Sequence, residues 1–357
     1  MATPVLEAKN LLWKVKDKTI VNINKFQICP GEHIALIGPN GSGKSSLIKL
    51  LAFLQKPSEG EVVFQGMSSK SSLIDKRREM AVVFQEPLLL NMKVYDNVAY
   101  GLKLRKSDVN IKERVDYWLD RLNISHLKSR YPKNLSGGEA QRTSIARALA
   151  LEPKILILDE PFGSLDAPTR AQLLEEMNLL VKQSDITSIF ITHDFSEIPF
   201  VADKVYVMSE GEIVQEGLLE DIFYRPANEV VANLVGADNQ YEITISKKYS
   251  PDQYEIKLSD SCPGLIAHTA EPRDFSPGQK LKAFIRSDDI ELGAKAENKL
   301  EGYVERILPH GFQYKLVLDC GFELKVVISK QQFIELNLKN ADSLTVSIDS
   351  KKIHLIG

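Results

Sequence analysis

This chain contains few cysteines and tryptophans, and its net charge is small. Its 357 residues include three cysteines and two tryptophans, and its formal net charge at pH 7 is −3. Cys29, Cys262 and Cys320 lie far apart and match no metal-binding or redox spacing, so we expect reduced thiols. The lack of a basic excess excludes a global electrostatic attraction to nucleic acid and leaves only a local patch. We therefore expect no nucleic-acid partner.

The sequence also lacks a long hydrophobic run. No apolar segment approaches the roughly 18–20 residues that a membrane helix requires. The first ten residues contain Glu7 and Lys9 in place of a signal-peptide core. We therefore expect any connection to a membrane to run through a partner. With 43% hydrophobic and 26% charged residues, the chain can bury a full core, and its length suggests two or three domains.

What the chain does contain is a glycine-rich segment between a strand and a helix. His33–Ile37 is a short apolar run typical of a buried strand, and Leu47–Leu54 has helical spacing. Between them lies Gly38-Pro39-Asn40-Gly41-Ser42-Gly43-Lys44-Ser45-Ser46. The glycines permit positive φ, so successive N–H groups form a nest for an anion at the helix N-terminus. Because Lys44 adds a charge for phosphates and the Ser45 hydroxyl suits Mg²⁺, we predict a nucleoside triphosphate site.

Three further apolar strands end on polar residues. Gln85 follows one strand, Asp159 and Glu160 end the second, and His193 follows the third. Ligands of P-loop folds gather at the carboxyl ends of strands. We predict that Asp159 holds Mg²⁺ together with Ser45, and that Gln85 reaches the metal or the attacking water. Glu160 is placed to polarise that water. His193 is either a structural histidine or a sensor of the γ-phosphate.

A second candidate anion site begins at Ser136. Ser136 followed by Glu139 is a capping box, which predicts a helix that runs to about Leu151. Gly137 and Gly138 in its first turn cost roughly 1 kcal/mol each relative to alanine, and a plain cap requires neither. We therefore favour an exposed helix N-terminus whose bare backbone binds an anion.

Two other segments complete the first predicted domain, 1–237. Val5–Ile28 alternates apolar and polar residues and predicts a β-hairpin. Trp13 in this hairpin is either a core residue or a ring that stacks on adenine. Leu88–Tyr131 is a helical insertion with an amphipathic helix at Ile111–Ile124, and we place a helical subdomain at about 88–150.

The second predicted domain, 238–357, consists of short alternating strands separated by turns. This pattern is typical of a small antiparallel barrel. It contains a faint internal repeat at constant offset, in which Leu281, Ala283, Ile285, Ser287, Ile290 and Leu292 align with Leu344, Val346, Ile348, Ser350, Ile353 and Leu355. Two copies of a β-unit, interleaved into one or two barrels, explain this repeat. The predicted fold is thus an α/β P-loop domain followed by an all-β, small-barrel domain of OB-like type.

Taken in order, the motifs resemble those of ABC transporter ATPase subunits over roughly Val5–Gly236. Gly38–Ser46 matches Walker A, Leu135–Arg142 the family signature, and Ile155–Glu160 Walker B with its catalytic glutamate. The shorter matches are Gln85 (Q-loop), Ser164-Leu165-Asp166 (D-loop), His193 (switch histidine) and Trp13 (the aromatic on adenine). Ser46 and Gly163 depart mildly from the family pattern, which has Thr and more often Ser at these positions.

The resemblance implies a mechanism and partners. Two copies of the chain face each other head to tail, so that Ser136, Gly137 and Gly138 of one cap the γ-phosphate bound by the other. ATP and Mg²⁺ are the implied cofactors, Glu160 is the implied base or water polariser, and His193 the implied phosphate sensor. The implied partners of the homodimer are two permease subunits and, indirectly, an extracytoplasmic solute-binding protein. The implied location is the cytoplasmic face of the cell membrane, as a peripheral protein.

The C-terminal region resembles the accessory barrels of importer ATPases. Asn298–Leu355 is similar to the molybdate-binding module, and Asn91–Val98 is similar to tungstate and molybdate importer subunits. This implies an oxyanion, for which Ser329 and Lys330 are candidate ligands; the alternative is a barrel that only holds the dimer together. Ala296-Glu297-Asn298 departs from the usual Ser-Ala-Arg-Asn of the module.

The sequence leaves the cargo open. Sulfate, iron, polyamine and sugar importers share the same architecture. A non-transport ABC ATPase is disfavoured, because the chain has neither a long coiled-coil insertion nor a second nucleotide domain.

Overall fold

A computed structural model describes residues 3–68, 72–105, 109–163, 165–182, 186–258, 262–269 and 273–357. The chain divides into two compact units, Met1–Leu219 and Glu220–Gly357. The segment 220–237, which the sequence analysis assigns to the first domain, is therefore grouped with the second unit. In the described part of the chain, no helix is both long enough and apolar enough to cross a membrane.

The first unit contains a six-stranded sheet of order β10-β9-β3-β8-β7-β6, parallel except for β10. Its inner strands are nearly continuous runs of Ile, Leu, Val and Phe, as expected when both faces of a parallel sheet are covered. The strands are β3 (His33–Ile37), β6 (Met80–Val83), β7 (Ile155–Asp159), β8 (Thr187–Ile191), β9 (Lys204–Ser209) and β10 (Glu212–Leu218).

A second sheet in this unit has the order β2-β1-β4-β5 and is antiparallel. The predicted hairpin is confirmed, since its two long strands pair from Leu6 opposite Ile28 to Val15 opposite Lys18. The strands are β1 (Leu6–Val15), β2 (Lys18–Ile28), β4 (Glu59–Phe64) and β5 (Met67–Ser68).

The helices of the first unit pack on these sheets or on one another. The amphipathic stripe predicted for α4 is buried at Val115, Trp118 and Leu119, and Asn110 caps this helix by accepting a hydrogen bond from the Glu113 N–H at 3.3 Å. The helices are α1 (Lys44–Leu51), α2 (Leu73–Arg78), α3 (Val94–Arg105), α4 (Ile111–Arg121), α5 (Gly137–Leu149), α6 (Ala167–Lys182) and α7 (Ile198–Val201).

The second unit consists of two five-stranded antiparallel sheets around a shared apolar core. One sheet has the order β13-β12-β11-β14-β20 and the other β18-β17-β16-β19-β15. Its strands are β11 (Asn239–Ser250), β12 (Gln253–Lys257), β13 (Leu265–His268), β14 (Lys280–Ile285), β15 (Ile290–Leu292), β16 (Asn298–His310), β17 (Gln313–Asp319), β18 (Glu323–Ser329), β19 (Ser343–Ile348) and β20 (His354–Ile356). Its helices are α8 (Leu219–Tyr224, which begins at the boundary), α9 (Glu229–Leu234) and α10 (Lys330–Leu336).

The internal repeat has a structural counterpart in this unit. In each copy a strand, a 3₁₀ turn and a short strand follow one another, and the short strand pairs with the other copy: β14 with β20, and β19 with β15. The two copies thus exchange their last strands, which explains the interleaving. The predicted fold class, a P-loop α/β domain followed by a β-rich, OB-like region, is confirmed.

An acidic residue followed by asparagine lies at the start of β11 and again at the start of β16. Asp238 accepts a hydrogen bond from the Ser287 N–H at 3.2 Å, and Glu297 accepts one from the Ser350 N–H at 3.2 Å. The next residues bridge to other strands, since the Asn239 side chain accepts from the Lys325 N–H at 2.7 Å and Asn298 from the Ile266 N–H at 2.6 Å. Both carboxylates cap turns, and both amides are buried and hydrogen-bonded, as a stable core requires. Glu297 and Asn298, noted above as a departure from the molybdate-binding module, therefore have structural partners.

Candidate active site

The P-loop is built from glycines that no other residue can replace without strain. Gly38, Gly41 and Gly43 have φ of 151°, 80° and 104°. A Cβ at Gly38 would lie 2.0 Å from the carbonyl oxygen of Met208, and one at Gly43 would lie 2.7 Å from that of Ile20. The loop therefore rests directly on the backbone of β9 and of β2.

Lys44 is drawn back over the same loop. Its Nζ donates to the carbonyl oxygens of Gly38 at 2.9 Å and Pro39 at 3.0 Å, and the residue is only 7% exposed. Burial lowers the pKa of Lys44, while the charges of Glu160 and Asp159 act in the opposite direction. The charges of both carboxylates thus act on the ammonium group, and a phosphate is a stronger acceptor for it than its two carbonyl partners.

The Ser42 hydroxyl is buried in the P-loop without a hydrogen-bond partner among the described residues. Ser42 as a whole is only 4% exposed. A buried hydroxyl without a partner is unfavourable, and its position in the loop fits the predicted anion site.

The Ser45 and Asp159 side chains lie together at the end of β7. Burial raises the pKa of Asp159, and a hydrogen bond from the Ser45 side chain opposes this shift. A hydroxyl and a carboxylate in contact suit a hard cation such as Mg²⁺, which prefers oxygen ligands. Gln85 and Glu160 both lie beside Gly163. A Cβ added to Gly163 would be 3.7 Å from Gln85 Nε2 and 3.8 Å from Glu160 Oε2.

Glu160 and His193 form a pair beside this group. His193 Nδ1 lies 3.3 Å from Glu160 Oε1, with the histidine side chain 62% exposed and the glutamate 19%. Glu160 has a φ of 45°, which is rare for a residue with a side chain and is often found at functional sites. The structure therefore brings together Gln85, Lys44, Ser45, Asp159, Glu160 and His193, while the role of each remains a prediction.

The signature segment opens a separate cleft of about 360 Å³. Ser136 and Glu139 form the predicted capping box, with Ser136 N–H donating to Glu139 Oε2 at 2.7 Å and Glu139 N–H to Ser136 Oγ at 3.3 Å. The backbone hydrogen bond from Ser136 lowers the pKa of Glu139 and outweighs the opposing effect of burial. The residues that line the cleft are Asn123, Ile124, Ser136, Gly137, Gly138, Glu139, Arg142, Leu165, Asp166, Thr169 and Gln172, none of them from the P-loop.

One of the two signature glycines has a packing cause. A Cβ at Gly138 would lie 2.9 Å from Thr169 Cγ2, on helix α6. Sequence reasoning ascribed both glycines to anion binding, because a contact across 31 residues leaves no local pattern. Anion binding at Ser136, Gly137 and Gly138 stays a prediction.

Trp13 and the C-terminal candidates are not part of these clusters. Trp13 lies on β1 opposite Val21, half-buried against the core, so both of its predicted roles stay open. Ser329 caps α10, with its Oγ accepting from the Gln332 N–H at 3.1 Å, and Lys330 is exposed. The spacing of Ser329 and Gln332 is a capping box that the sequence already displayed. Ser164 of the D-loop match lies outside the described residues, whereas Leu165 and Asp166 line the signature cleft.

Comparison with known proteins shows the family to which this chain belongs. The family model described as ABC transporter matches residues 21–163. The molybdate/tungstate import ATP-binding protein WtpC of Pyrococcus horikoshii is 34% identical over 337 residues, which are 92% of this chain and 94% of that protein. This chain belongs to the ABC transporter family.

Other ABC relatives agree on the class and differ in cargo. The sulfate/thiosulfate import ATP-binding protein CysA of Synechocystis is 33% identical over 90% of this chain and 87% of that protein. The spermidine/putrescine import ATP-binding protein PotA of Acetivibrio thermocellus is 32% identical over 99% and 96%. The chain is therefore an ATP-binding ABC import subunit and an ATPase coupled to transport, and the relatives do not single out its substrate.

Solved ABC structures resemble the larger part of the chain. CbiO1 of Clostridium perfringens, part of the ABC transporter complex cbiONQ, has a TM-score of 0.57 at 31% identity and covers 66% of this chain and 95% of its own. A dimeric ATP-binding cassette in a post-hydrolysis state with ADP and Pi has a TM-score of 0.56 at 27% identity, over 60% and 98%.

The P-loop geometry yields a first test. Gly38→Ala places a Cβ against the Met208 carbonyl and must displace the loop, so we expect ATP affinity to fall at least about tenfold. Gly31→Ala is the control: its φ of 76° is also positive, but a Cβ there would have nothing within 4 Å. We expect the control to cost about 1 kcal/mol of stability through its backbone and to leave ATP affinity unchanged. Titration with a fluorescent ATP analogue measures both variants, and full affinity in Gly38→Ala contradicts the role of this contact.

Proposed function

We propose that this chain energises an oxyanion importer as a homodimer with Glu160 as its catalytic residue. The observation that carries the proposal is His193 Nδ1 3.3 Å from Glu160 Oε1 at the carboxyl edge of the parallel sheet, where the charges of Glu160 and Asp159 also act on Lys44 of the P-loop. A cation, two carboxylates and a histidine at one edge are suited to binding a triphosphate and attacking it with water.

In the proposed dimer, each nucleotide lies between two copies of the chain. The lining of the signature cleft includes no P-loop residue, which supports a site that combines the two elements from two copies. A head-to-tail arrangement brings the α5 N-terminus to the phosphate at Lys44, where the Ser136 hydroxyl and the glycine N–H groups donate. The dimeric relative with ADP and Pi is consistent with this arrangement.

Each side chain has a separate task in hydrolysis. Lys44 leaves the Gly38 and Pro39 carbonyls and binds the phosphates, and the Ser42 hydroxyl gains a partner. Glu160 accepts a proton from, or polarises, the attacking water, and His193 contacts the γ-phosphate and orients Glu160. Ser45, Asp159 and Gln85 would hold Mg²⁺, which neutralises phosphate charge when bound. Loss of the γ-phosphate removes the anion between the two copies and lets them separate.

The proposed partners are two permease subunits, bound at the cytoplasmic face of the membrane, with an extracytoplasmic solute-binding protein feeding them. The docking segment is Gln85–Asn97, which exposes Leu88 at 57% and Leu90 at 38%. Arg147 braces it by donating to the Pro87 and Leu88 carbonyls at 3.0 Å each. Exposed leucines in a hydrogen-bonded segment that contains Gln85 are suited to a helix of a membrane protein, and cbiO1 belongs to an ABC transporter complex.

The proposed cargo is an oxyanion such as tungstate or molybdate. The support is the relatives named for molybdate/tungstate and sulfate/thiosulfate import, against which the polyamine relative stands as the alternative. In the barrel, Ser329 keeps a hydroxyl proton to donate, because its Oγ serves as an acceptor in the helix cap. Exposed Lys330 adds a positive charge next to it.

Replacement of Glu160 tests the catalytic assignment. Glu160→Gln keeps the size and removes the charge, so we expect turnover to fall at least about a hundredfold while ATP still binds and holds the dimer together. Phosphate release and size-exclusion chromatography with ATP measure the two effects. Glu32→Gln is the control, because this carboxylate accepts from Cys29 N–H at 2.7 Å at the opposite end of β3. Wild-type turnover in Glu160→Gln refutes the assignment.

Calorimetric titration of the full chain with tungstate, molybdate, sulfate and spermidine tests the cargo. We expect one oxyanion to bind selectively and to slow ATP hydrolysis. The double variant Ser329→Ala, Lys330→Ala loses this inhibition if these residues are the ligands, whereas Asn340→Ala, an exposed change in the same unit, retains it. Binding of spermidine alone contradicts the oxyanion proposal, and unchanged inhibition in the double variant excludes Ser329 and Lys330.

A further inference from the structure

We propose that Arg170 and Glu197 are positioning residues that hold the His193 segment for hydrolysis and tie it to the turn at Leu165. This inference rests on the proposed role of His193 beside Glu160. Neither residue belongs to a motif identified in the sequence analysis. Both make contacts with residues that flank His193.

A buried carboxylate fixes the residues that flank His193. Thr192 Oγ1 donates to Glu197 Oε2 at 2.6 Å and accepts from the Asp194 N–H at 3.0 Å. Thr192 and Glu197 are each 4% exposed. One hydroxyl therefore joins the residues before and after His193, and Glu197 sets where this hydroxyl points.

Arg170, on α6, neutralises this acidic segment. Its Nη1 donates to Asp194 Oδ2 at 3.3 Å, and its Nε lies 4.0 Å from Glu197 Oε1. The Nε is buried without a hydrogen-bond partner in the described structure, so charge rather than a hydrogen bond joins it to Glu197. A half-buried guanidinium between two carboxylates is costly to leave with only one of them.

The pKa shifts of Glu197 and Asp194 agree with their contacts to Arg170. Burial raises the pKa of Glu197, and the nearby Asp194 charge adds to the shift, against which Arg170 acts. Burial acts to raise the pKa of Asp194 as well, but hydrogen bonds from Ser196 and the Arg170 charge outweigh it and lower the pKa. Arg170 therefore stabilises the charged form of both carboxylates.

Arg170 also contacts the turn that lines the signature cleft. Its Nη2 donates to the Leu165 carbonyl at 3.5 Å, and Leu165 lines the signature cleft. The same turn of α6 carries Thr169, which touches the position of Gly138. Arg170 thus contacts both the segment that serves the chain's own P-loop and the turn that lines its signature cleft. In the proposed dimer these two places belong to different nucleotide sites.

A double-mutant cycle in the full-length chain tests the proposal. Glu197→Gln and Arg170→Met are expected to lower kcat about tenfold each, the scale on which residues that support an active site act. We expect KM for ATP to stay within about twofold, because the P-loop is untouched. The double variant should be no slower than about the worse single variant, because both act through one unit. Additive losses of about a hundredfold, or a KM that rises as kcat falls, overturn the proposal.

A second pair of variants guards against a simple loss of folding. Thr192→Val keeps the shape and removes the hydroxyl, whereas Thr192→Ser keeps the hydroxyl. We expect Val to lower kcat about tenfold and Ser to restore it to within about twofold, with similar thermal unfolding midpoints. Equal rates in Val and Ser contradict a role for this hydroxyl. Glu32→Gln again serves as the control with unchanged kcat.

Parallel assays of Glu160→Gln and His193→Ala separate this inference from the proposed function. If neither of these variants slows hydrolysis, the proposed site itself is wrong. If both slow it while Glu197→Gln and Arg170→Met do not, the positioning inference alone fails.

Discussion

The buried ammonium group of Lys44 is the interaction on which the ATPase unit depends. It is hydrogen-bonded to two loop carbonyls and subject to the charges of two carboxylates. Lys44 donates to Gly38 and Pro39 while Glu160 and Asp159 lie close enough to counter the effect of burial on its pKa. A triphosphate at this point meets both a cation and two negative side chains. In the proposed site, Mg²⁺ and the N-terminus of α5 from a second copy would add positive charge. The architecture of the unit follows from delivering these parts to one edge of a sheet.

Close packing of the P-loop backbone on the backbone of neighbouring strands fixes the position of the loop. Gly38 and Gly43 rest on the carbonyls of Met208 and Ile20, so the position of the loop is set by β9 and by the hairpin strand β2. The strands that carry Asp159 and the His193 segment are neighbours in the same sheet. The active-site side chains are thus held by regular elements, and the irregular parts are limited to strand ends, where Glu160 adopts a left-handed backbone.

Much of this could be predicted because the signals are local. The P-loop, the β1–β2 hairpin, the capping box at Ser136 and the carboxyl ends of β7 and β8 are each readable within about ten residues. The pairing of β14 with β20 was beyond prediction, since alternation indicates a strand but does not name its neighbour. The contacts of Arg170 with Leu165, Asp194 and Glu197 depend on how α6 packs, and no spacing in the sequence announces them. The Ser329 cap, in contrast, was readable and was assigned to a ligand instead.

In the proposed dimer, each ATP site combines the P-loop of one copy with the signature segment of the other. Mixing two inactive variants tests this arrangement most directly: a Lys44→Ala chain and a Gly137→Asp chain, each without a complete site as a homodimer. We expect ATP hydrolysis to appear on mixing, because the mixed dimer unites one intact P-loop with one intact signature segment. A mixture that remains as inactive as its parents while mixed dimers form contradicts the shared site.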